Sequence, residues 1–437
     1  MTGKDRWLLP EGIEELLPAE AAVAERVRRN ILDLFRSWGY QFVMPPLVEF
    51  TDSLLIGLGE DVALQSFRLT DQLSGKPMAI RADITPQTAR IDAHSMRATG
   101  VNRLCYAGSV LYTRPQALRG SRCPIQAGAE LYGDASTNGD IEIISLMLDM
   151  LENVMNGSVI DGKATPAVQA AGSAHSLQGL TLDLGHVGIY SAAVSAMRSL
   201  QPDLEDTVLA QFNNAMQRKS APDLRALTAL HFNDTAFAEA LCALPLLCGG
   251  REVLQEARAL MPALSLPSGA AIQDFERALR ELETVADAIA PRFPDVDIYF
   301  DLTELRGFSY HTGLVFAAYS AGHGTALANG GRYDEVGKVF GAARPATGFN
   351  TDVKALIRCV HAAHVANAAG APKPALCDEA IAAPKTGDAA LWRKVCDLRR
   401  SGEIVVAVDD SDLPRYRRRL LAAKGSWVVQ AHTLKNS

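Results

Sequence analysis

Apolar residues recur at three- and four-residue spacing after Pro18, at Val23, Val27, Ile31, Leu34, Phe35 and Trp38, which predicts an amphipathic helix closed by Gly39. Tyr40–Val43 then reads as a strand, broken by Pro45-Pro46, and Met78–Arg81, Arg103–Leu111 and Gln126–Tyr132 read as further strands. In the last of these, small residues alternate against larger ones. Ile141, Ile144, Leu148 and Leu151 place one stripe on a helix over Asp140–Met155. Residues 156–179 are rich in Gly, Ala, Ser and Thr and almost devoid of bulky apolar side chains, which predicts a mobile surface insertion.

Leu180–Leu184 resumes as a strand, and Ile189–Pro291 is helical in pattern throughout, with breaks at Pro202, Pro222, Pro245, Gly249-Gly250 and Pro262–Gly269. Strands return at Val296–Leu302 and Gly313–Ala318. Beyond the Ala/Pro linker Ala368–Pro374, the pattern predicts β-α-β-α-β: Ala380–Ala383, a helix over Ala389–Arg400, Ile404–Val408, a basic helix over Leu413–Lys424, and Trp427–Gln430. The expected organisation is therefore a core over 1–188 and 293–367, interrupted by a helical insertion at 189–292 and followed by a small α/β unit at 375–437.

Composition narrows the class without deciding it. The chain has 437 residues, 48% hydrophobic and 21% charged, enough for two or three domains with a buried core. A net charge of −7 is unlike that of a chain devoted to gripping phosphate backbones. Seven cysteines without a C-x-x-C pair read as free thiols in a reducing compartment. With no apolar signal segment and no apolar run near the roughly 20 residues that span a bilayer, the expectation is a cytoplasmic protein without a membrane partner.

Two segments carry candidate chemistry. Glu304-Leu305-Arg306-Gly307-Phe308-Ser309-Tyr310-His311-Thr312-Gly313 lies about 20 residues before Ala328-Asn329-Gly330-Gly331-Arg332-Tyr333-Asp334. Together with Arg81-Ala82-Asp83-Ile84-Thr85 and Gln126-Ala127-Gly128-Ala129-Glu130, and with Phe42–Glu49 standing as motif 1, they resemble the catalytic core of class II histidyl-tRNA synthetases. The similarity is greatest to the paralogous family, the regulatory subunits of ATP phosphoribosyltransferase, and covers roughly residues 5–360.

The resemblance implies an α+β fold: a class II aminoacyl-tRNA synthetase-like antiparallel sheet flanked by helices, with the helical insertion and the C-terminal unit appended. It also implies a histidine pocket. Free histidine presents an ammonium, a carboxylate and an imidazole, so a selective site needs carboxylates, a guanidinium and hydrogen-bonding groups. By resemblance, Asp83, Thr85 and Gln126 hold the ammonium, Arg306 the carboxylate, and Glu130 with Tyr310 the ring nitrogens, while Tyr333 lines the wall. Asp83 replaces a synthetase Glu, and His311 replaces a second Tyr. His311 can read an imidazole or hydrogen-bond backbone within a strand.

The nucleotide half departs from the synthetases. The stretch Tyr106–Gln116 is one residue short of motif 2, and Tyr112 falls where an arginine grips the α-phosphate, with Arg114 matching a later arginine. In Thr347–Leu356, Ala355 stands where motif 3 stacks an arginine on adenine. Adenylyl transfer depends on positioned positive charge at the phosphates, so aminoacyl-adenylate formation is expected to be lost.

The implied function is a non-catalytic regulatory subunit that partners a short-form ATP phosphoribosyltransferase in a hetero-octamer and senses histidine. It self-associates through the motif-1-like segment, uses no cofactor or metal and binds no tRNA. A divergent histidyl-tRNA synthetase is the alternative from the enzyme class, and a free-standing histidine-binding protein is a third reading. The run Arg415, Arg417, Arg418 and Arg419 reads as the solvated face of the basic helix rather than a nucleic-acid contact, and Cys359-x-His361-x-x-His364 as a helix surface.

Overall fold

The computed structural model describes residues 7–54, 64–97, 99–115, 120–156, 177–264, 266, 269–304, 310–341, 343–367, 380–423 and 426–431. Most of the segment expected to be a mobile insertion, and Arg306 with its neighbours 305–309, lie outside them. Met1–Ala362 and Ala363–Ser437 are separate compact units.

Twelve strands are described in the first unit: β1 (Gln41–Phe42), β2 (Val48–Phe50), β3 (Arg68–Thr70), β4 (Pro77–Ile80), β5 (Asn102–Ser109), β6 (Ile125–Tyr132), β7 (Leu180–His186), β8 (Cys248–Gly249), β9 (Val296–Asp301), β10 (Leu314–Ser320), β11 (Ala328–Arg332) and β12 (Ala346–Asp352). Nine of them form a sheet in the order β1-β5-β6-β12-β11-β10-β7-β9-β8, and β2-β4-β3 form a second, smaller sheet. The run from β5 to β7 is antiparallel, whereas β1 with β5 and β7 with β9 pair in parallel.

The apolar stripe of the first helix is buried as its spacing requires. Over Pro18–Ser37 it buries Val23, Val27, Ile31 and Phe35, and Gly39 follows with φ +86°, a left-handed position that favours glycine. Burying each such side chain contributes about 1.5–3 kcal/mol. Phe35 meets Phe349 of β12 edge to face at 5.8 Å, which seats the helix on the sheet. The apolar Thr137–Met155 helix covers the same side.

A parallel β7–β9 pair needs a long crossover. Here it is the helical segment Val187–Ile289, including the long helices Val187–Leu200 and Gly269–Ile289. The helical pattern is broken once by β8, where Cys248–Gly249 returns to pair with β9. At the end of β7, His186 ties the two long helices together. Its Nδ1 accepts from the Gly188 N–H at 3.0 Å, and its Nε2 lies 2.9 Å from Glu281.

The second unit corrects one expectation. Strands β13 (Ile381–Pro384), β14 (Val405–Val408), β15 (Arg418–Ala423) and β16 (Ser426–Ala431) form a sheet in the order β14-β13-β15-β16, beside the helix Ala389–Arg400. The expected basic helix over Leu413–Lys424 is instead one 3₁₀ turn, Leu413–Arg415, followed by β15. Leu413, Leu420 and Leu421 mimic a helical stripe, but cross-strand pairing wins. Leu420 is fully buried opposite Val429, while Leu421 is exposed, a period of two. The arginine run is accordingly not a solvated helix face. Arg418 grips Glu403 with two bonds of 2.9 and 2.7 Å, and Arg419 donates to the carbonyls of Tyr416 and Pro414.

Arg332, of the Gly-Gly-Arg-Tyr-Asp string, points to the helix side of the sheet. It donates to Asp140 Oδ2 from Nε at 3.1 Å and from Nη2 at 2.9 Å, and to the carbonyls of Asp134 and Ser136 at 3.0 Å each. Arg332 therefore clamps β11 to the N-terminal end of the Thr137–Met155 helix. Asp140→Ala, which leaves the buried guanidinium only Asp334 and two carbonyls, is expected to cost about 3 kcal/mol in urea unfolding. A loss below about 1 kcal/mol contradicts the clamp.

Candidate functional site

The face of the sheet opposite the long helices is built in cross-strand rows. Leu104, Glu130, Gly348, Gly331 and Val315 lie side by side across β5, β6, β12, β11 and β10. The next row holds Tyr106, Gly128, Asn350, Asn329 and Ala317, and the third Gly108, Gln126 and Asp352. The glycines make room for large polar neighbours. A Cβ on Gly348 would sit 1.6 Å from Glu130 Oε2, one on Gly128 would sit 2.5 Å from the Tyr106 hydroxyl, and one on Gly331 would sit 2.7 Å from the His311 ring.

Glu130 is the centre of this floor, with 1% of its surface exposed. Its Oε1 accepts from Thr85 Oγ1 at 2.9 Å and from the Tyr106 hydroxyl at 3.0 Å, and its Oε2 accepts from the Tyr333 hydroxyl. All three donors are neutral hydroxyls. Burial pushes the Glu130 carboxyl up to about 8, against the opposing pull of these hydrogen bonds. Tyr333 is stacked on Tyr310 at 5.1 Å, and Tyr310 meets His311 edge to face at 5.5 Å. The Tyr310 hydroxyl is buried and has no hydrogen-bond partner among the described residues. It is an open polar contact facing an aromatic pocket.

Asp83 occupies the other end of the pocket. Gln126 Nε2 donates to its Oδ1 at 2.9 Å, as does the Thr85 N–H at 3.1 Å, while Gln126 Oε1 accepts from the Ile84 N–H. Desolvation raises the Asp83 carboxyl above its ordinary value. The fold thus brings Asp83, Thr85, Gln126, Glu130, Tyr310, His311 and Tyr333 into one constellation. Within it, the Thr85 hydroxyl braces Glu130 and Tyr106 instead of standing free beside Asp83.

The sequence reading passed over Tyr106 and Tyr132. Tyr106 is a fully buried donor to Glu130, and Tyr132 lies edge to face on Tyr333 at 6.5 Å. The small–large alternation of β6 was the available signal, since Gly128 marks the place where another strand's side chain must lie.

Beside Gln126 the floor opens into a cavity of about 440 Å³, lined among others by Tyr112, Asn329, Asn350, Asp352, Ala355 and Arg358. Positions 112 and 355, where the resemblance places a synthetase's guanidinium groups, both line it. Arg358, one helical turn beyond Ala355, is engaged with Glu14 at 3.4 Å and Asp352 at 3.7 Å. Elsewhere in this unit Asp183, Asp301 and Glu304 lie close enough to share a cation, but Lys219 already pairs with Asp301 at 2.7 Å. No helix among the described residues is long and apolar enough to cross a membrane.

Comparison with known proteins gives the family and the fold. Residues 12–161 and 166–356 match the histidyl-tRNA synthetase family, and residues 378–430 match the ATP phosphoribosyltransferase subunit HisZ C-terminal domain. The chain is 47% identical over 435 residues to an ATP phosphoribosyltransferase regulatory subunit of Azotobacter vinelandii, covering 98% of this chain and 99% of that one. It is 48% identical over 438 residues to one of Pseudomonas putida, with the same shares. Among solved structures, an ATP phosphoribosyltransferase regulatory subunit/histidyl-tRNA synthetase from Bacillus halodurans superposes with a TM-score of 0.72 at 22% identity, covering 94% of this chain and 95% of that one. The histidyl-tRNA synthetase of a Nostoc species gives 0.68 at 17%, covering 98% and 97%. The class II synthetase-like fold expected from the sequence is the fold observed.

Glu130 yields a test of the site's electrostatics. An acid whose folded pKa exceeds its unfolded value keeps its proton in the native state after the unfolded chain has lost it. Stability from this group therefore falls as pH rises from the ordinary value of 4.5 to about 8. The slope approaches about 1.4 kcal/mol per pH unit in mid-window. Urea unfolding of the wild type and Glu130→Gln across this range should show the wild type losing stability relative to the variant as pH rises. A difference independent of pH contradicts the assignment.

Proposed function

Because this chain belongs to the ATP phosphoribosyltransferase regulatory-subunit family, we propose that it is the non-catalytic partner of a short-form ATP phosphoribosyltransferase and confers histidine feedback inhibition on it. The observation that carries this reading is the pairing of the buried Glu130 and Asp83 clusters with a neighbouring cavity that has Tyr112 and Ala355 where the resemblance places a synthetase's guanidinium groups. A solved complex described as ATP phosphoribosyl transferase (HisG:HisZ) from Thermotoga maritima, which shares the fold with a TM-score of 0.51 at 15% identity over 75% of this chain and 96% of that one, supports the partnership.

In this reading histidine lies with its ammonium at Asp83 and Gln126, its carboxylate at Arg306, and its ring between Tyr310 and Glu130. The unsatisfied Tyr310 hydroxyl and the elevated Glu130 carboxyl suit a ring that offers one acceptor and one donor. Thr85 and Tyr333 act by holding Glu130 in place. His311, packed over Gly331, limits the length of the ring end. Histidine transmits inhibition by favouring one arrangement of the assembly, for which a coupling of about 1–3 kcal/mol is enough. By reciprocity, ligands of the catalytic chain must shift histidine affinity by the same factor.

Self-association through the motif-1-like segment is part of the same proposal. Phe42 of β1, Met44 and Leu47 between β1 and β2, and Phe50 of β2 are all exposed, and exposed apolar side chains of this kind are what subunit contacts cover.

Mixing the purified chain with a short-form ATP phosphoribosyltransferase tests both halves. Turnover should rise on mixing and fall when histidine is added. Arg306→Ala should preserve the activation while raising the half-inhibitory histidine concentration about tenfold or more, the effect of losing a charge-assisted contact. Absence of activation overturns the partnership, and unchanged inhibition in the variant overturns the pocket assignment.

A further inference from the structure

Three oxygen atoms of the Glu130 cluster form a closed triangle. Thr85 Oγ1 lies 2.9 Å from Glu130 Oε1, the Tyr106 hydroxyl lies 3.0 Å from the same atom, and the two hydroxyls lie 2.9 Å from each other. Every edge has the length of a hydrogen bond. Each hydroxyl carries one proton, so an ionised Glu130 leaves two protons for three edges. With both directed at the carboxylate, the edge between Thr85 and Tyr106 brings two oxygens together without a hydrogen. Dividing one proton between two edges bends both contacts away from the straight geometry that gives them strength. A proton on Glu130 completes the triangle. The carboxyl then donates to one hydroxyl, that hydroxyl to the second, and the second back to Oε1.

The groups around Glu130 favour the same state. Asp83 is the acid whose charge bears on it, and a like charge disfavours ionisation. The phenols of Tyr40, Tyr106, Tyr132, Tyr310 and Tyr333 are held above their ordinary value by burial, so each stays a neutral hydroxyl. His311 stands farther along the same row of the sheet, over Gly331. Outside the triangle, Glu130 Oε2 accepts from Tyr333 and keeps a second lone pair. The buried Tyr310 hydroxyl, on the ring stacked against Tyr333, has no hydrogen-bond partner among the described residues. One acceptor and one donor answer the two nitrogens of an uncharged imidazole: Oε2 accepts from the ring N–H, and Tyr310 donates to the bare nitrogen.

We propose that the free site keeps a proton in the Thr85–Tyr106–Glu130 triangle and therefore takes histidine with a neutral imidazole, excluding the imidazolium. This rests on the reading of the site as a histidine pocket and adds the protonation form of its ligand. Near neutral pH no proton passes between ligand, protein and solvent on binding. An imidazolium brings a second proton to a place that already holds one, while Asp83 is engaged by the ligand's own ammonium.

Titration calorimetry on the full chain separates this from an ionised Glu130. Between about pH 7.5 and 5.5 most of the free ligand passes from imidazole to imidazolium, so histidine affinity should fall about tenfold. Triazolylalanine, the same amino acid with a ring that stays uncharged over this range, should change by less than about threefold. In buffers of different ionisation enthalpy, histidine binding near neutral pH should exchange almost no protons. An ionised Glu130 would draw a proton onto the ligand, so affinity that rises toward acid, or uptake of close to one proton near neutral pH, overturns the proposal. An equal fall for both ligands also overturns it, because another group then titrates. Infrared spectroscopy of the free chain at neutral pH gives a reading without ligand. The carbonyl band of an un-ionised carboxyl should be present and should be lost in Glu130→Gln. No such band, or an identical one in the variant, overturns the proton in the triangle. The calorimetric comparisons need only the wild-type chain, so a variant that fails to fold leaves them intact. A chain that binds no histidine sinks the pocket reading, and the infrared band then decides the triangle by itself.

Discussion

The buried carboxyl of Glu130 is the constraint on which this side of the sheet depends. Among the described residues no cation stands beside this almost solvent-free acid, and three neutral hydroxyls from three separate segments converge on it. Thr85 comes from the helix after β4, Tyr106 from β5 and Tyr333 from the turn after β11. The glycine facing it on β12 is a consequence, since any side chain at Gly348 would occupy the volume of the carboxylate. So is the left–right division of the sheet. Arg332, one residue before Tyr333, turns to the opposite face and spends its charge on Asp140, which leaves the pocket free of a guanidinium at that point.

That division explains how a binding site can outlast its chemistry. The pocket is assembled by strand pairing and by hydroxyl contacts within β5, β6, β12 and β11, and none of these depends on the nucleotide side. Tyr112 lies in the loop after β5, where it exchanges backbone contacts with Arg122, and Ala355 sits on the first turn of the helix after β12. Both positions border the cavity and neither donates to Glu130, so the resemblance's missing arginines would remove none of its hydrogen bonds. A regulatory subunit needs only the retained half.

Much of this was legible in the sequence, and the failures have physical causes. Strands β1, β4 to β7, β9 and β10 and the first helix announced themselves by period, whereas β2, β3, β8, β11 and β12 went unread, and the residues around Glu130 came from segments that carry the resemblance. Leu413–Lys424 misled because three leucines at helical spacing also satisfy a strand in which only Leu420 must be buried, and the deciding partner, β16, lies beyond it in sequence. Tyr106 was passed over because its role depends on Gly128 of the neighbouring strand, a register that no single segment displays. The role of Arg332 likewise required knowing which face of β11 it follows, and the resemblance alone assigned Arg306 to the carboxylate.

The central claim is that an amino-acid pocket persists here without the chemistry that accompanies it in a synthetase. Histidine-dependent ATP–pyrophosphate exchange, measured on the purified chain at saturating histidine, tests it most directly. The account predicts no exchange above the level without histidine, under conditions in which histidine binding is detected. Sustained histidine-dependent exchange would mean that the charge absent at positions 112 and 355 is supplied from elsewhere, and the separation of binding from catalysis would be contradicted.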